Sequence, residues 1–95
     1  MSSLPSLSGV KNAARVIKDI IEETPFQFNE RISNELNCNV YLKREDLQQV
    51  RSFKIRGAYN KINSIVVKAR KNGVVCASAG NHAQGFALAC SSLRI

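Results

Sequence analysis

"VVCASAGNHAQGFALA", residues 74 to 89, decides the fold. Its first four residues are apolar, and turn-forming residues bound them on both sides, Asn72-Gly73 before and Ser78-Ala79-Gly80-Asn81 after. A short apolar run without polar alternation predicts a strand buried on both faces, the kind found in parallel sheets. Beyond the turn, Ala83, Phe86, Ala87, Cys90 and Leu93 recur at helical spacing, so a helix follows directly.

Upstream, Ile55, Ala58, Tyr59, Ile62, Ile65 and Val66 trace one face of a helix that Ser52 is placed to cap. Its expected end is at Arg70-Lys71 and Asn72-Gly73, where cations suit the last turn and Asn-Gly tolerates the left-handed conformation. Val40–Lys43 is a short strand candidate, and the charged stretch Arg44-Glu45-Asp46 after it must reach solvent or pair. Asn29 caps a short helix from Glu30 to Leu36, and Asn37-Cys38-Asn39 forms a turn.

A first helix is expected from Gly9 to Glu23, with Ser8 as its cap and Val10, Ala13, Ala14, Ile17, Ile20 and Ile21 at helical spacing. It stops before Thr24-Pro25, because a residue preceding proline avoids the helical region. Residues 1–8 are left as a tail. Strand, helix, strand, helix argues for the α/β class, a doubly wound parallel sheet with right-handed crossovers. Two short strands make an unfinished sheet. The chain halts at Leu93-Arg94-Ile95, where the next strand is due, so residues 1–95 read as the N-terminal segment of an incomplete domain.

Composition narrows the class. With 44% apolar and 22% charged residues and only two prolines, the chain is globular rather than disordered. The net charge of +7 permits attraction to phosphate on nucleic acid, a membrane or a small ligand, and charge alone does not choose among them. The cluster Lys68-Ala69-Arg70-Lys71 falls where a helix end welcomes cations, which makes it a solvated terminus. Cys38, Cys76 and Cys90 are odd in number and far apart, so neither a disulfide framework nor a zinc site is indicated and a reducing compartment fits. No apolar run approaches the roughly 20 residues of a membrane span. Lys11, Arg15 and Lys18 with four serines suggest an organellar leader, but helical spacing runs through them into the body of the chain.

Two features carry chemistry. Lys54 falls in the first turn of its helix, where the macrodipole disfavours an ammonium by about 0.3–1 kcal/mol. Partial burial and the nearby Arg56 add to that, and a neutral amine is what condenses with an aldehyde. Its plain alternative is a solvated lysine at a helix start. In the turn, Gly80 and Gly85 bracket Asn-His-Ala-Gln beyond a strand's carboxyl end, where open α/β sheets bind ligands. Backbone N–H groups there, with Ser78 and Asn81, offer a seat for a carboxylate or phosphate; the alternative is a small-residue turn allowing close packing. His82 is the only histidine, so a histidine-based metal site is not expected.

"SFKIRGA" (52–58) and "SAGNHAQG" (78–85), with "TPF" (24–26), "YLKREDLQ" (41–48) and "QVRSFKIRGAY" (49–59), resemble the signatures of fold-type II (tryptophan synthase beta-like) pyridoxal-phosphate enzymes. The similarity is to the serine/threonine dehydratase branch, and to its biosynthetic type rather than the catabolic one, which usually carries Thr-Gly before Ser-Phe-Lys. The resemblance implies pyridoxal 5'-phosphate as cofactor, held by Lys54, which also takes the substrate's Cα proton. It implies that Phe53 packs beside the cofactor ring, that Asn81 bonds its ring hydroxyl, and that Ser78, Ala79, Gly80, Asn81 and His82 grip the substrate carboxylate. The reaction implied is β-elimination from L-threonine to 2-oxobutanoate and ammonia, the first step of isoleucine biosynthesis. Serine racemases of this family carry serine where this chain has Ala79, which favours elimination.

The family's glycine-rich phosphate cup and its partner for the pyridine nitrogen match nothing in these 95 residues, so little turnover is expected from this chain alone. The resemblance further implies a cytoplasmic, homo-oligomeric enzyme acting on a small amino acid, with no nucleic-acid or membrane partner and with its C-terminal part missing here. Serine dehydratase, threonine synthase and serine racemase are the nearer alternatives. A non-catalytic remnant, or a basic polyanion-binding module, is the more distant one.

Overall fold

A computed structural model describes residues 4–65 and 67–95. Helix α1 (Leu7–Ile17) starts from Ser6, whose Oγ accepts the Gly9 amide at 3.1 Å. The cap is therefore Ser6 rather than Ser8, and Leu7 and Ser8 belong to the helix rather than to the tail, whose first three residues lie outside the described ones. α1 ends at Ile17, not Glu23, and Ile20 and Ile21 continue as turn, their amides reaching back to the Ile17 carbonyl.

Strand β1 (Phe26–Phe28) pairs antiparallel with β2 (Tyr41–Lys43), and Asn29 N to Val40 O extends the pairing by one bond. Helix α2 (Glu30–Leu36) connects them and has the expected bounds, because its signals are local. The Asn29 Oδ1 accepts the Ile32 amide at 2.9 Å, and Asn37 closes the other end in the left-handed region at φ 50°. Phe26 and Phe28 share one face of this ribbon with Tyr41, the ring centroids 5.3 and 5.5 Å from that of Tyr41.

A single 3-10 turn (Glu45–Leu47) leads to α3 (Lys54–Ser64), whose cap is Phe53 rather than Ser52. The expected helix to Arg70 is broken: Ile65 is extended (φ −74°, ψ 130°), and a short α4 (Val67–Arg70) follows. β-Branched residues flank the break, and such side chains lose rotamer freedom in a helix. Val66, expected on the buried face, lies outside the described residues.

The last helix, α5 (Asn81–Leu93), packs on α3, and this pair makes the core. Ile55, Ala58 and Ile62 of α3 and Ala89 of α5 are all buried, with Tyr59, Phe86, Cys90 and Leu93 partly buried around them. Gly85 is buried with Ala89 one turn on, whereas Ala87, expected on the inner face, is exposed. The buried face of α5 is thus centred on small residues that admit close helix approach.

The segment 74–77 forms no strand. Val75 is 96% exposed, and no described strand lies beside it to supply a ladder. The sheet among the described residues is the antiparallel pair β1–β2, and the parallel pairing expected of residues 74–77 is not made. A radius of gyration of 16.2 Å exceeds the roughly 12–13 Å of a compact domain this long, so the elements are spread around a small core.

Candidate active site

Lys54 is the first residue of α3 and is half-buried. Its amide finds only a long contact to Ser52 Oγ, 3.4 Å, and Phe53 provides no side-chain cap. Its ammonium lies 5.0 Å from the centroid of the Phe53 ring, a distance at which a cation is attracted to an aromatic face. No acidic residue occupies the first turn of α3, and no carboxylate pairs with Lys54 among the described residues.

Against this turn lies Gly85 of α5. A β-carbon at position 85 would stand 2.9 Å from both Ile55 N and the carbonyl carbon of Lys54, and 3.1 Å from the Lys54 carbonyl oxygen. Only glycine permits that approach, and it seats the N-terminal end of α5 against the start of α3. The sequence pattern makes Gly85 one bracket of a turn; it is instead the contact point of the two helices.

The loop ahead of α5 and the first two residues of that helix are exposed, from Ser78, Ala79 and Gly80 to Asn81 and His82. Ser78 Oγ accepts the amides of Gly80 (3.2 Å) and Ala83 (3.1 Å), capping the helix from two residues upstream of Gly80. The Gln84 amide turns back to the Gly80 carbonyl. The amides of Asn81 and His82 have no acceptor among the described residues, which leaves two N–H groups open at the positive end of a 13-residue helix. His82 is 6.2 Å from the Phe86 ring and lines a cleft of about 450 Å³ with Gly57, Lys61, Ile65 and Val74, which neither Lys54 nor Asn81 borders.

The sequence leaves Glu45 as a charge needing a partner, and the structure supplies several. Its carboxylate accepts Arg56 Nε and Nη2 (the latter at 3.1 Å), Thr24 Oγ1 (2.6 Å) and Gln48 Nε2 (3.0 Å). The Arg56 guanidinium holds the Glu45 carboxyl down at about 2, helped by Thr24 and Gln48 against the opposing effect of burial. Arg56 is raised in return by the same hydrogen bond. Gln48, 1% exposed, also clamps the Glu22 backbone, donating to its carbonyl and accepting its amide, both at 2.9 Å. Lys43 Nζ donates to the Thr24 carbonyl at 2.6 Å. The stretches 24–26, 41–48 and 52–58, separate in sequence, therefore meet in one polar knot.

A family described as "Pyridoxal-phosphate dependent enzyme" matches residues 17–95. The chain is 52% identical over 94 residues to the biosynthetic L-threonine dehydratase IlvA of Bacillus subtilis, an alignment that covers 99% of this chain and 22% of that protein. It is 58% identical over 83 residues to the same-named enzyme of Halalkalibacterium halodurans, covering 87% of this chain and 20% of that one. Among solved structures, maize serine racemase superposes with a TM-score of 0.89 at 30% identity over 98% of this chain and 29% of its own. A threonine deaminase from the organism abbreviated T.th. gives 0.83 at 36% identity over 96% and 32%. The chain spans about a fifth of the length of the curated relatives it matches.

Proposed function

The chain belongs to the pyridoxal-phosphate dependent enzyme family, and on that premise we propose that it carries the amine-bearing and carboxylate-gripping part of an L-threonine dehydratase. The observation that carries the reading is the contact of Gly85 with the Lys54 backbone, which sets the amine-bearing turn beside the helix whose open amides suit an anion.

The residues present fit the family's cofactor. Among the described residues, Lys54 offers a half-buried amine with no carboxylate partner, Phe53 supplies a ring beside it, and Asn81 supplies an amide side chain without a hydrogen bond, suited to the cofactor's ring hydroxyl. When bound, pyridoxal phosphate supplies the electron sink that stabilises the pair left at Cα. Lys54 would hold it through its side-chain amine, and the same amine would be the base that takes the Cα proton. The open amides of Asn81 and His82, with Ala79 and Gly80, hold the substrate carboxylate and fix which bond faces the base. With the Cα proton returned to the departing β-hydroxyl, the net change would be loss of water from L-threonine, and tautomerisation and hydrolysis of the released enamine would give 2-oxobutanoate and ammonia.

Ala79 supports elimination over racemisation, since its methyl group has no proton to give to or take from the opposite face of Cα. The two curated relatives, both named biosynthetic threonine dehydratases, favour threonine as the substrate and isoleucine synthesis as the setting. Our reading of the whole protein as a cytoplasmic homo-oligomer rests on the family resemblance of its motifs alone. No helix among the described residues is long and apolar enough to cross a membrane.

The test is to mix the chain with pyridoxal phosphate, fix the adduct with borohydride and map the label. Enrichment at Lys54 over Lys61, Lys68 and Lys71 is expected. An even spread over surface lysines would remove the reading.

A further inference from the structure

The first turn of α3 is packed through Ile55 but is poorly capped by hydrogen bonds. It has no side-chain cap, and the Lys54 amide has only a 3.4 Å contact. Gly85 bounds it on one side, by steric contact with the backbone. Beside the buried Ile55, its polar anchor among the described residues is the side chain two residues after Lys54: Arg56, whose guanidinium is taken by Glu45 through Nε and Nη2. Such paired bonds fix orientation as well as distance.

Glu45 is itself tied down. Thr24 and Gln48 donate to the same carboxylate, and Gln48 is locked to the Glu22 backbone. The polar anchor for α3 is therefore tied to the segment between α1 and β1, far from the amine in sequence. We propose, resting on the reading of Lys54 given above, that Glu45 is a positioning residue, which acts through Arg56 to hold the first turn of α3 and so aims the Lys54 amine toward the N-terminal end of α5. It touches neither substrate nor cofactor in this role.

The readout is the share of borohydride-fixed label found on Lys54 against Lys61, Lys68 and Lys71. In Glu45→Gln, which keeps size and one acceptor but loses the charge that Arg56 needs, the Lys54 share should fall roughly threefold or more, because small misplacements of a reacting group are costly. Arg56→Lys, which keeps a cation but loses the fork, should lower it likewise, and it serves where Glu45→Gln does not fold. Ser33→Ala controls for general loosening: it removes the Ser33 Oγ bonds to Asn29 O and Val40 N, away from α3, and should leave the Lys54 share unchanged.

An unchanged Lys54 share in both Glu45→Gln and Arg56→Lys overturns the positioning role while leaving the function reading intact. An equal loss in Ser33→Ala also overturns it, since loosening anywhere would then suffice. Indiscriminate labelling of the unmodified chain removes both this inference and the reading beneath it.

Discussion

Gly85 and Lys54 meet backbone to backbone: a β-carbon on Gly85 would lie 2.9 Å from the carbonyl carbon of Lys54, inside any normal carbon contact. Two opposing effects act on Gly85→Ala. Alanine favours the helix by about 1 kcal/mol, while forcing a methyl group into packed backbone costs roughly 1–3 kcal/mol. The clash should win, because the neighbour is main chain and cannot rotate away. A lower thermal midpoint is expected, by about 4–8 °C for each kcal/mol lost. Gly57→Ala is the matched control, since nothing lies within 4 Å of a β-carbon there. It should raise the midpoint, through a gain of roughly 0.5–1 kcal/mol in an α3 position with room to spare. Equal shifts of the same sign in the two variants would mean that α3 and α5 do not meet at Gly85.

How far the sequence speaks depends on how local each cause is. Helix α2 is legible to its end residues because Asn29 and Asn37 act on their own neighbours. The Lys54 and Asn81 stretches are legible by resemblance, but the role of Gly85 is not, since a glycine in a turn motif and a glycine at a helix contact look alike until the partner helix is placed. The unpaired segment 74–77 shows the opposite limit. Its apolar pattern states a preference for a sheet, and a preference becomes a strand only when a neighbour accepts its hydrogen bonds. Glu45 is visible as a charge needing a partner, but Arg56, 11 positions on, is not visible as that partner.

Acid should expose the Glu45 knot. Its carboxyl titrates at about 2 in the folded chain because Arg56 stabilises the charged form, while in the unfolded chain it returns to the ordinary range near 4.5. A lowered folded value means the unfolded chain binds the proton more readily. The contribution is therefore whole above about pH 4.5 and is lost as pH falls toward 2. The exposed Asp46, lowered by its hydrogen bond with Arg44, acts in the same direction. Urea midpoints measured from about pH 6 to about pH 3 should decline in the unmodified chain. In Glu45→Gln the decline should be shallower, with a lower midpoint at the upper end of that range. A parallel pH slope in the two would show that Glu45 is not held in the charged form by folding.

Arg51 adopts φ 61°, in the left-handed region that suits glycine, just ahead of the Ser52-Phe53-Lys54 stretch. A residue with a β-carbon there carries strain of about 1–2 kcal/mol, part of which Arg51→Gly gives back to the greater freedom of the unfolded glycine. The expected net result is a gain of roughly 0.5 kcal/mol, read as a higher urea midpoint with an unchanged slope. A loss would mean that the Arg51 side chain contributes more to the fold than its backbone costs.

Ser78 separates the fold of α5 from its use. Because its Oγ accepts the Gly80 and Ala83 amides, Ser78→Ala should cost about 1 kcal/mol, like the loss of a helix cap, with faster amide exchange through the first turn of α5. Ser78→Asp keeps an acceptor within reach and adds a negative charge at the positive helix end, so stability should be regained. The same charge stands beside the open amides of Asn81 and His82 and should repel an incoming carboxylate. Titration with L-threonine, followed by the shifts of those two amides, should therefore show binding in the unmodified chain and a marked loss in Ser78→Asp. If threonine moves the two amides equally in both proteins, the N-terminal end of α5 is a structural cap and the carboxylate is held elsewhere.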